Sequence, residues 1–194
     1  MNLRESPSER HHDAPRIVLV EPSRSAAGVL ARRLSEAGYR VIAADSAENG
    51  VAELRRMPAD LVLAELAQPG MSGIELTRLI RDDSSLRDIP VILIAGRSDS
   101  SGAIRALEAG ADDIVAKPFF EEVLIARIAR QLDRARGLKE LRADNATLDA
   151  RVVTRAIELG EMRLALQESE GERRRLARLA QRDQYSGNPG YSHR

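Results

Sequence analysis

Residues 60–73, with the sequence DLVLAELAQPGMSG, open with a short apolar run and close in a glycine-containing turn. The run at 61–64 does not alternate apolar with polar side chains, which is typical of a strand buried on both faces. Four similar runs lie at 17–20, 41–43, 91–94 and 114–116, and amphipathic segments separate them at 24–37, 46–57, 73–82 and 99–109. Strand–helix alternation repeated five times predicts an α/β fold, with a doubly wound, five-stranded parallel sheet covered by helices on both faces.

A sheet of this kind binds ligands at the carboxyl ends of its strands, so the residues that close each strand are the candidate site. Glu21 follows the first run, Glu65 the third, Ala95 the fourth and Lys117 the fifth. We therefore expect one lysine, two carboxylates and a small apolar residue to lie near one edge of the sheet.

Three motifs carry a resemblance to a known family. Residues 60–73 are similar to the D-L-V-L-L-D-L-x-M-P-G-M-D-G motif of bacterial response regulator receiver domains, and 107–113 (LEAGADD) and 117–119 (KPF) match the family's G-A-D-D and K-P-F. The resemblance covers residues 16–132. It implies a flavodoxin-like sheet with strand order 2-1-3-4-5, and a cytoplasmic, non-enzymatic role in two-component (phosphorelay) signalling.

The resemblance also assigns the family's functional positions. In receivers an aspartate that ends strand 3 accepts the phosphoryl group, and two acids after strand 1 hold Mg²⁺. A hydroxyl after strand 4 and a lysine after strand 5 bind the phosphoryl group. An aromatic side chain on strand 5 switches position. Here the acceptor position is Glu65 and the acid pair is Glu21-Pro22. The hydroxyl position is Ala95, the lysine position is Lys117 and the aromatic position is Ile114.

Most of these positions depart from the family pattern. The extra methylene of Glu65 moves its carboxylate about 1.5 Å outward, and a displacement of about 1 Å can cost a hundredfold in rate. Pro22 supplies no metal ligand, so only Glu21 remains, as a weak or lost ligand. Binding of Mg²⁺ is therefore doubtful, and no cofactor is predicted. Ala95 offers no hydrogen bond to a phosphoryl oxygen. We interpret the chain as a degenerate pseudo-receiver, and the alternative is a phosphorylatable regulator with altered acceptor chemistry.

Lys117 is one of only two lysines among 30 basic residues, so its presence at the family's lysine position is informative. Burial favours pairing an ammonium with carboxylates, and Glu65 and Glu21 should be nearest. A permanent Glu65–Lys117 pair is open to two interpretations. It either stands in for a phosphorylated state or only neutralises charge at a strand end.

Residues 133–182 follow a heptad pattern, which predicts a coiled-coil helix continuous with the last receiver helix. An amphipathic helix packed on its own domain usually shows a wider apolar stripe with a period of 3.6 residues. Asn145 at an a position is typical of parallel two-stranded coils, and the alternative is an asparagine on the exposed face of a single helix. We predict a parallel homodimer, with a histidine kinase or another signalling protein as a further partner. The predicted seam contains Leu138, Leu141, Asn145, Leu148, Val152, Leu159, Met162, Leu166 and Leu176.

Composition argues against other classes of partner. Basic and acidic residues balance at 30 each and aromatics make up 3% of the chain, so neither nucleic-acid binding nor membrane insertion is expected. Cysteine is absent, which excludes disulfides and thiolate metal sites. Residues 1–15 are polar and are predicted to form a disordered tail in which His11 and His12 are solvated.

Residues 183–194 are predicted to form a frayed tail. Together with the residues just before it, this segment resembles the lead-in of GGDEF diguanylate cyclases and, less closely, of HD-GYP phosphodiesterases, which often follow a receiver and a coiled coil. The resemblance implies a missing output domain. A further alternative is therefore that the chain is the regulatory fragment of a cyclic-di-GMP cyclase or phosphodiesterase.

Overall fold

The computed structural model describes residues 14–97 and 100–186. Five strands alternate with five helices, and each predicted strand is present with bounds shifted by at most one residue. The strands are β1 (Arg16–Val20), β2 (Arg40–Ala44), β3 (Leu61–Glu65), β4 (Val91–Ala95) and β5 (Asp113–Ala116). The helices are α1 (Arg24–Glu36), α2 (Ala47–Arg56), α3 (Gly73–Asp82), α4 (Ser100–Glu108) and α5 (Glu121–Ser186).

All five strands belong to one parallel sheet with the order β2-β1-β3-β4-β5. This confirms the predicted flavodoxin-like fold. The three central strands β1, β3 and β4 are buried along their whole length, which explains why their sequences are apolar without alternation. The order reverses at β1, so the carboxyl ends of β1 and β3 flank the crevice where such sheets place their sites.

Alternate residues of the central strands face two separate cores. Val18, Val62 and Leu93 pack on one face of the sheet with residues of α2, α3 and α4. Leu19, Leu63 and their neighbours pack on the other face with α1 and the first part of α5. Because such a buried leucine is fully enclosed, its truncation to alanine costs about 2–5 kcal/mol.

Serine caps set where three of the helices begin, and at the first of them the Ser23 hydroxyl accepts a hydrogen bond from the amide of Ala26. At the start of α2 the Ser46 hydroxyl accepts a hydrogen bond from the amide of Asn49. Ser72 was not singled out, yet it forms a capping box in which the Glu75 carboxylate accepts a hydrogen bond from the Ser72 amide at 2.8 Å. This reciprocal cap fixes the turn between the end of β3 and α3.

The helix α5 contributes to the receiver core only at its start. Leu124, Ile128 and Leu132 are buried at a spacing of four residues, and no later side chain among the described residues is buried. Contacts along the described chain divide it into two compact units, with the boundary between Lys139 and Glu140. No helix among residues 14–97 and 100–186 is long and apolar enough to cross a membrane.

Two of the predicted terminal segments lie mainly outside the described residues. Of the predicted tail at 1–15, the structure describes only 14 and 15. The helix α5 is described as far as Ser186, four residues past the predicted end at 182. Residues 187–194 are not described, and they include the last three residues of the resemblance to an output-domain lead-in, which covers 179–189.

Candidate functional site

The ends of four strands bring the predicted site residues to one edge of the sheet. Glu65 and Ala95 are the last residues of β3 and β4. Glu21 follows β1, and its amide continues the ladder by donating to the carbonyl of Ala44 at 3.0 Å. Lys117 follows β5, and its amide donates to the carbonyl of Ala95 at 2.8 Å. The backbone ladder therefore fixes where each side chain starts.

A lysine lies between two carboxylates at this edge. The Lys117 Nζ donates a hydrogen bond to Oε2 of Glu65 at 2.6 Å and lies 3.7 Å from Oε2 of Glu21. The two glutamate side chains are 11% and 5% exposed, whereas the lysine side chain is 41% exposed. The shorter contact identifies Glu65 as the main partner, as the sequence led us to expect.

Glu21 is only partly satisfied by its neighbours. Its Oε1 accepts a hydrogen bond from the amide of Ser23 at 2.9 Å. Its Oε2 is buried and has no hydrogen-bond partner among the described residues. Burying a carboxylate oxygen without a hydrogen bond is unfavourable. The nearby ammonium of Lys117 offsets this cost by its attraction to the negative charge of Glu21.

Burial raises the pKa of the Glu65 carboxyl above its ordinary value. The hydrogen bond and the charge of Lys117 oppose this effect, and the negative charge of Glu21 adds to it. The carboxylates of Glu65 and Glu21 therefore repel each other in a poorly solvated place. The site favours a bound positive charge, and Lys117 supplies it.

The donor set does not fit a Mg²⁺ site. Magnesium prefers octahedral coordination by oxygens, with one or two carboxylates free to bind it. Here the Glu65 carboxylate is engaged by an ammonium, and the side chain of Pro22 carries no oxygen. Over residues 14–97 and 100–186, no cluster of three or more acidic, histidine or cysteine side chains could hold a metal.

The remaining predicted positions are apolar. Ala95 is buried in the core beneath α3 and α4, and Ile114 is half-buried against the same core. A methyl group at 95 and an aliphatic side chain at 114 offer no hydrogen bond to an oxyanion. The structure thus brings Glu21, Glu65 and Lys117 together and places only hydrocarbon at the other two positions.

Two residues that the sequence analysis missed support the Glu65 backbone. The side-chain amide of Gln68 donates to the carbonyl of Glu65 at 3.3 Å, while its own Oε1 is buried without a partner among the described residues. A Cβ added to Gly73 would lie 2.7 Å from the Glu65 carbonyl oxygen and 3.0 Å from Leu66 Cα. The serine cap directly before Gly73 is the local pattern that could have identified this turn.

Comparisons with known proteins agree with this architecture. A family model described as "Response regulator receiver domain" matches residues 17–129. The sensory transduction protein RegX3 of Mycolicibacterium smegmatis is 35% identical over 142 residues, which cover 73% of this chain and 61% of RegX3. The phosphate regulon transcriptional regulatory protein PhoB of Escherichia coli is 33% identical over 121 residues, or 62% of this chain and 53% of PhoB. The chain thus spans between half and two thirds of these relatives.

Solved structures show the same similarity. The receiver domain of a signal transduction histidine kinase from Syntrophus aciditrophicus matches with a TM-score of 0.59 and 35% identity, covering 62% of this chain and 91% of that one. The structure of FixJ-N matches with a TM-score of 0.58 and 31% identity, covering 62% of this chain and 95% of that one.

Proposed function

Because this chain belongs to the response regulator receiver family, we propose that it is a two-component signalling protein whose receiver accepts no phosphoryl group. It acts instead as a pseudo-receiver, through contacts with other proteins, and it dimerises through its C-terminal helix. The two parts of the proposal rest on different residues and are tested separately.

The observation that carries the first part is the 2.6 Å contact between Lys117 Nζ and Glu65 Oε2. The resemblance places the Glu65 carboxylate at the acceptor position. In this contact that carboxylate is already paired with a positive charge from the same chain. The Glu65 side chain is almost fully buried, so a phosphodonor would have to displace the ammonium and enter a poorly solvated space. Phosphoryl transfer depends on positioning and on neutralising the charge of the transferred group.

The surrounding residues also argue against transfer. A metal bridging the phosphoryl oxygens normally stabilises the transition state, and Pro22 removes one of its ligands. Ala95 removes the hydroxyl that would hold the transferred group. Since each change affects a different requirement, reversing only one of them leaves the other requirements unmet.

A phosphorylation assay tests this part directly. The chain is incubated with a low-molecular-weight acyl phosphate and Mg²⁺, and its intact mass is followed. We expect no added phosphoryl group. The matched variant Pro22→Asp/Glu65→Asp/Ala95→Thr restores the three positions in the same fold and should gain one. A labile phosphoryl group on the unmodified chain would refute the pseudo-receiver proposal and favour the phosphorylatable regulator.

Exposed side chains on α5 support the second part. The apolar seam residues from Leu138 to Leu176 are all exposed in the single chain. Eight of the twelve seam positions from 138 to 176 hold large apolar side chains, which a second parallel helix would cover. The other four positions hold Asn145, Arg155, Ser169 and Arg173. At about 25 cal/mol per Å² of apolar surface removed from water, their burial outweighs the cost of pairing Asn145.

Sedimentation equilibrium tests the dimer. We expect the full chain to be at least dimeric and a chain ending after Leu132 to be monomeric. The double variant Leu148→Glu/Leu159→Glu should lose the parallel contact while leaving the receiver folded. A truncated receiver that dimerises as tightly as the full chain would show that the receiver face sets the assembly.

A further inference from the structure

A second apolar stripe follows α5 on the side opposite the predicted dimer seam. Its members recur at spacings of three and four residues, and all are exposed. At 100° per residue, Ile157 lies about 160° around the helix from Leu159, and Leu164 lies about 160° from Leu166. We call this set the outer stripe, and it consists of Ala143, Ala146, Ala150, Val153, Ile157, Gly160 and Leu164.

The outer stripe is poorly suited to a helix face in water. Val153, Ile157 and Leu164 are 60%, 58% and 63% exposed. Valine, isoleucine and glycine also have lower helix propensity than the alanines, lysines and glutamates usual on solvated faces. The stripe is bounded by Lys139 before it and Gln167 after it. A parallel two-stranded coil would cover the seam and leave this stripe in solvent.

We propose that the outer stripe binds the same stripe of a second copy in antiparallel orientation. Residue 155 of each copy lies at the midpoint of the contact, which defines the register of the two helices. In this register Val153 meets Ile157 of the second copy, Ala150 meets Gly160, and Ala146 meets Leu164. The largest side chain then faces a small one, and every layer from 146 to 164 is apolar. An antiparallel pair packs in such layers because neighbouring helices interlock side chains from alternate turns.

A parallel pairing of the stripe fits less well. It would place Ala150 on Ala150 and Gly160 on Gly160, while Leu164 would meet its own copy. Layers made only of small residues leave unfilled space and lose packing contacts. Parallel pairing would contain four of them, at 143, 146, 150 and 160, whereas the antiparallel core from 146 to 164 contains one kind, Ala150 with Gly160. The arrangement of sizes along the stripe therefore favours the antiparallel orientation.

The charges beside the stripe select the same register. With the centre at 155, Asp149 faces Arg163 of the second copy, and symmetry repeats this attraction. Moving the register by one heptad in one direction brings Arg142 against Arg163, and moving it in the other brings Asp149 against Glu170. Like charges across a helix pair are unfavourable. Glu140 and Glu168 meet in the proposed register as well, but they lie beyond the ends of the 146–164 core.

The outer stripe and the seam lie on different faces, so both contacts can form on one helix. The antiparallel contact would then join two parallel dimers, and association would continue beyond the dimer as the concentration rises. This inference does not depend on the seam. If the seam failed to pair, the outer stripe alone would produce an antiparallel dimer.

The full chain and two variants of equal charge change test the inference by sedimentation equilibrium. Ile157→Glu/Leu164→Glu places two carboxylates in the stripe, whereas Arg151→Glu changes the net charge by the same amount outside both stripes. We expect the unmodified chain and the second variant to associate beyond the dimer as the concentration rises, and the first variant to stop at the dimer. Circular dichroism checks that both remain helical. Unchanged association in the first variant, or no association beyond a dimer in the unmodified chain with an intact seam, would overturn the proposal.

Disulfide trapping tests the orientation, since the natural chain contains no cysteine. Val153→Cys and Ile157→Cys chains are mixed in equal amounts and oxidised gently. Antiparallel pairing predicts that the mixed 153–157 disulfide predominates. A predominance of 157–157 disulfides would show parallel pairing, and an absence of cross-links would show that the stripes do not meet. Either result would overturn the proposed contact. Repeating the mixture with Leu148→Glu/Leu159→Glu in both chains separates this contact from the seam, because the mixed disulfide should persist.

Discussion

Replacing Lys117 by methionine should destabilise the receiver by removing the ammonium that lies between two buried carboxylates. Methionine keeps the length and apolar stem of lysine, so the packing of the stem changes little. The variant leaves Glu65 without its 2.6 Å hydrogen bond and Glu21 with an unpartnered Oε2. Those two like charges then repel each other where water screens them poorly.

The size of the effect follows from the burial of the three groups. Removing one partner of a fully buried ion pair costs about 3–5 kcal/mol. Because the Lys117 side chain is 41% exposed, solvent screens part of its charge, and we expect a loss of about 1–3 kcal/mol at neutral pH.

Acidification should reduce this loss. Burial raises the pKa of Glu65 in the folded protein, so the folded state binds this proton more tightly than the unfolded state does. Stability from this group is therefore present below the ordinary glutamate pKa and is lost as the pH rises through the raised value. Without Lys117 the pKa rises further. The cost of Lys117→Met should be largest at neutral pH and should shrink as Glu65 takes up its proton.

Urea denaturation at neutral and mildly acidic pH measures the effect, with a double-mutant cycle as its control. The cycle compares Lys117→Met, Glu65→Gln and the double variant. If the pair interacts as the geometry indicates, Glu65→Gln should recover most of the stability lost in Lys117→Met, because a neutral amide needs no counter-charge. A loss below about 0.5 kcal/mol, within the range of ordinary surface substitutions, or a coupling energy near zero, would refute this reasoning.

Three further expectations concern the acceptor position, the turn behind it and the seam. Glu65→Asp alone should gain no phosphoryl group in the intact-mass assay, since the metal ligand and the hydroxyl are still missing; a gain would mean that chain length at 65 was the only obstacle. Gly73→Ala should lower the free energy of unfolding by about 1–3 kcal/mol, because the new methyl group would lie 2.7 Å from the Glu65 carbonyl oxygen, and an unchanged urea midpoint would contradict this. Asn145→Leu should raise the melting temperature while broadening the distribution of oligomers in sedimentation velocity, because an apolar seam no longer penalises other registers; a lower melting temperature would place Asn145 outside the seam.

The class of fold and the position of the site follow from the sequence alone. Strands buried on both faces must be apolar throughout, so residues 61–64 and the four similar runs could be identified as strands without tertiary information. The topology of a parallel sheet then places Glu65, Ala95 and Lys117 at one edge. Heptad spacing depends only on the helical repeat, which is why the proposed seam could also be identified from sequence alone.

How the charges at that edge pair with one another depends on the tertiary structure. Glu65 and Lys117 are 52 residues apart along the chain, and the distance between their side chains depends on how β3, β4 and β5 align. The buried Oε2 of Glu21 and the Gln68 contact to the Glu65 backbone likewise depend on which atoms the neighbouring loops exclude from water. Spacing along a chain can indicate that charged residues converge, but burial sets their pKa values and their strength of pairing, and burial is a property of the assembled fold.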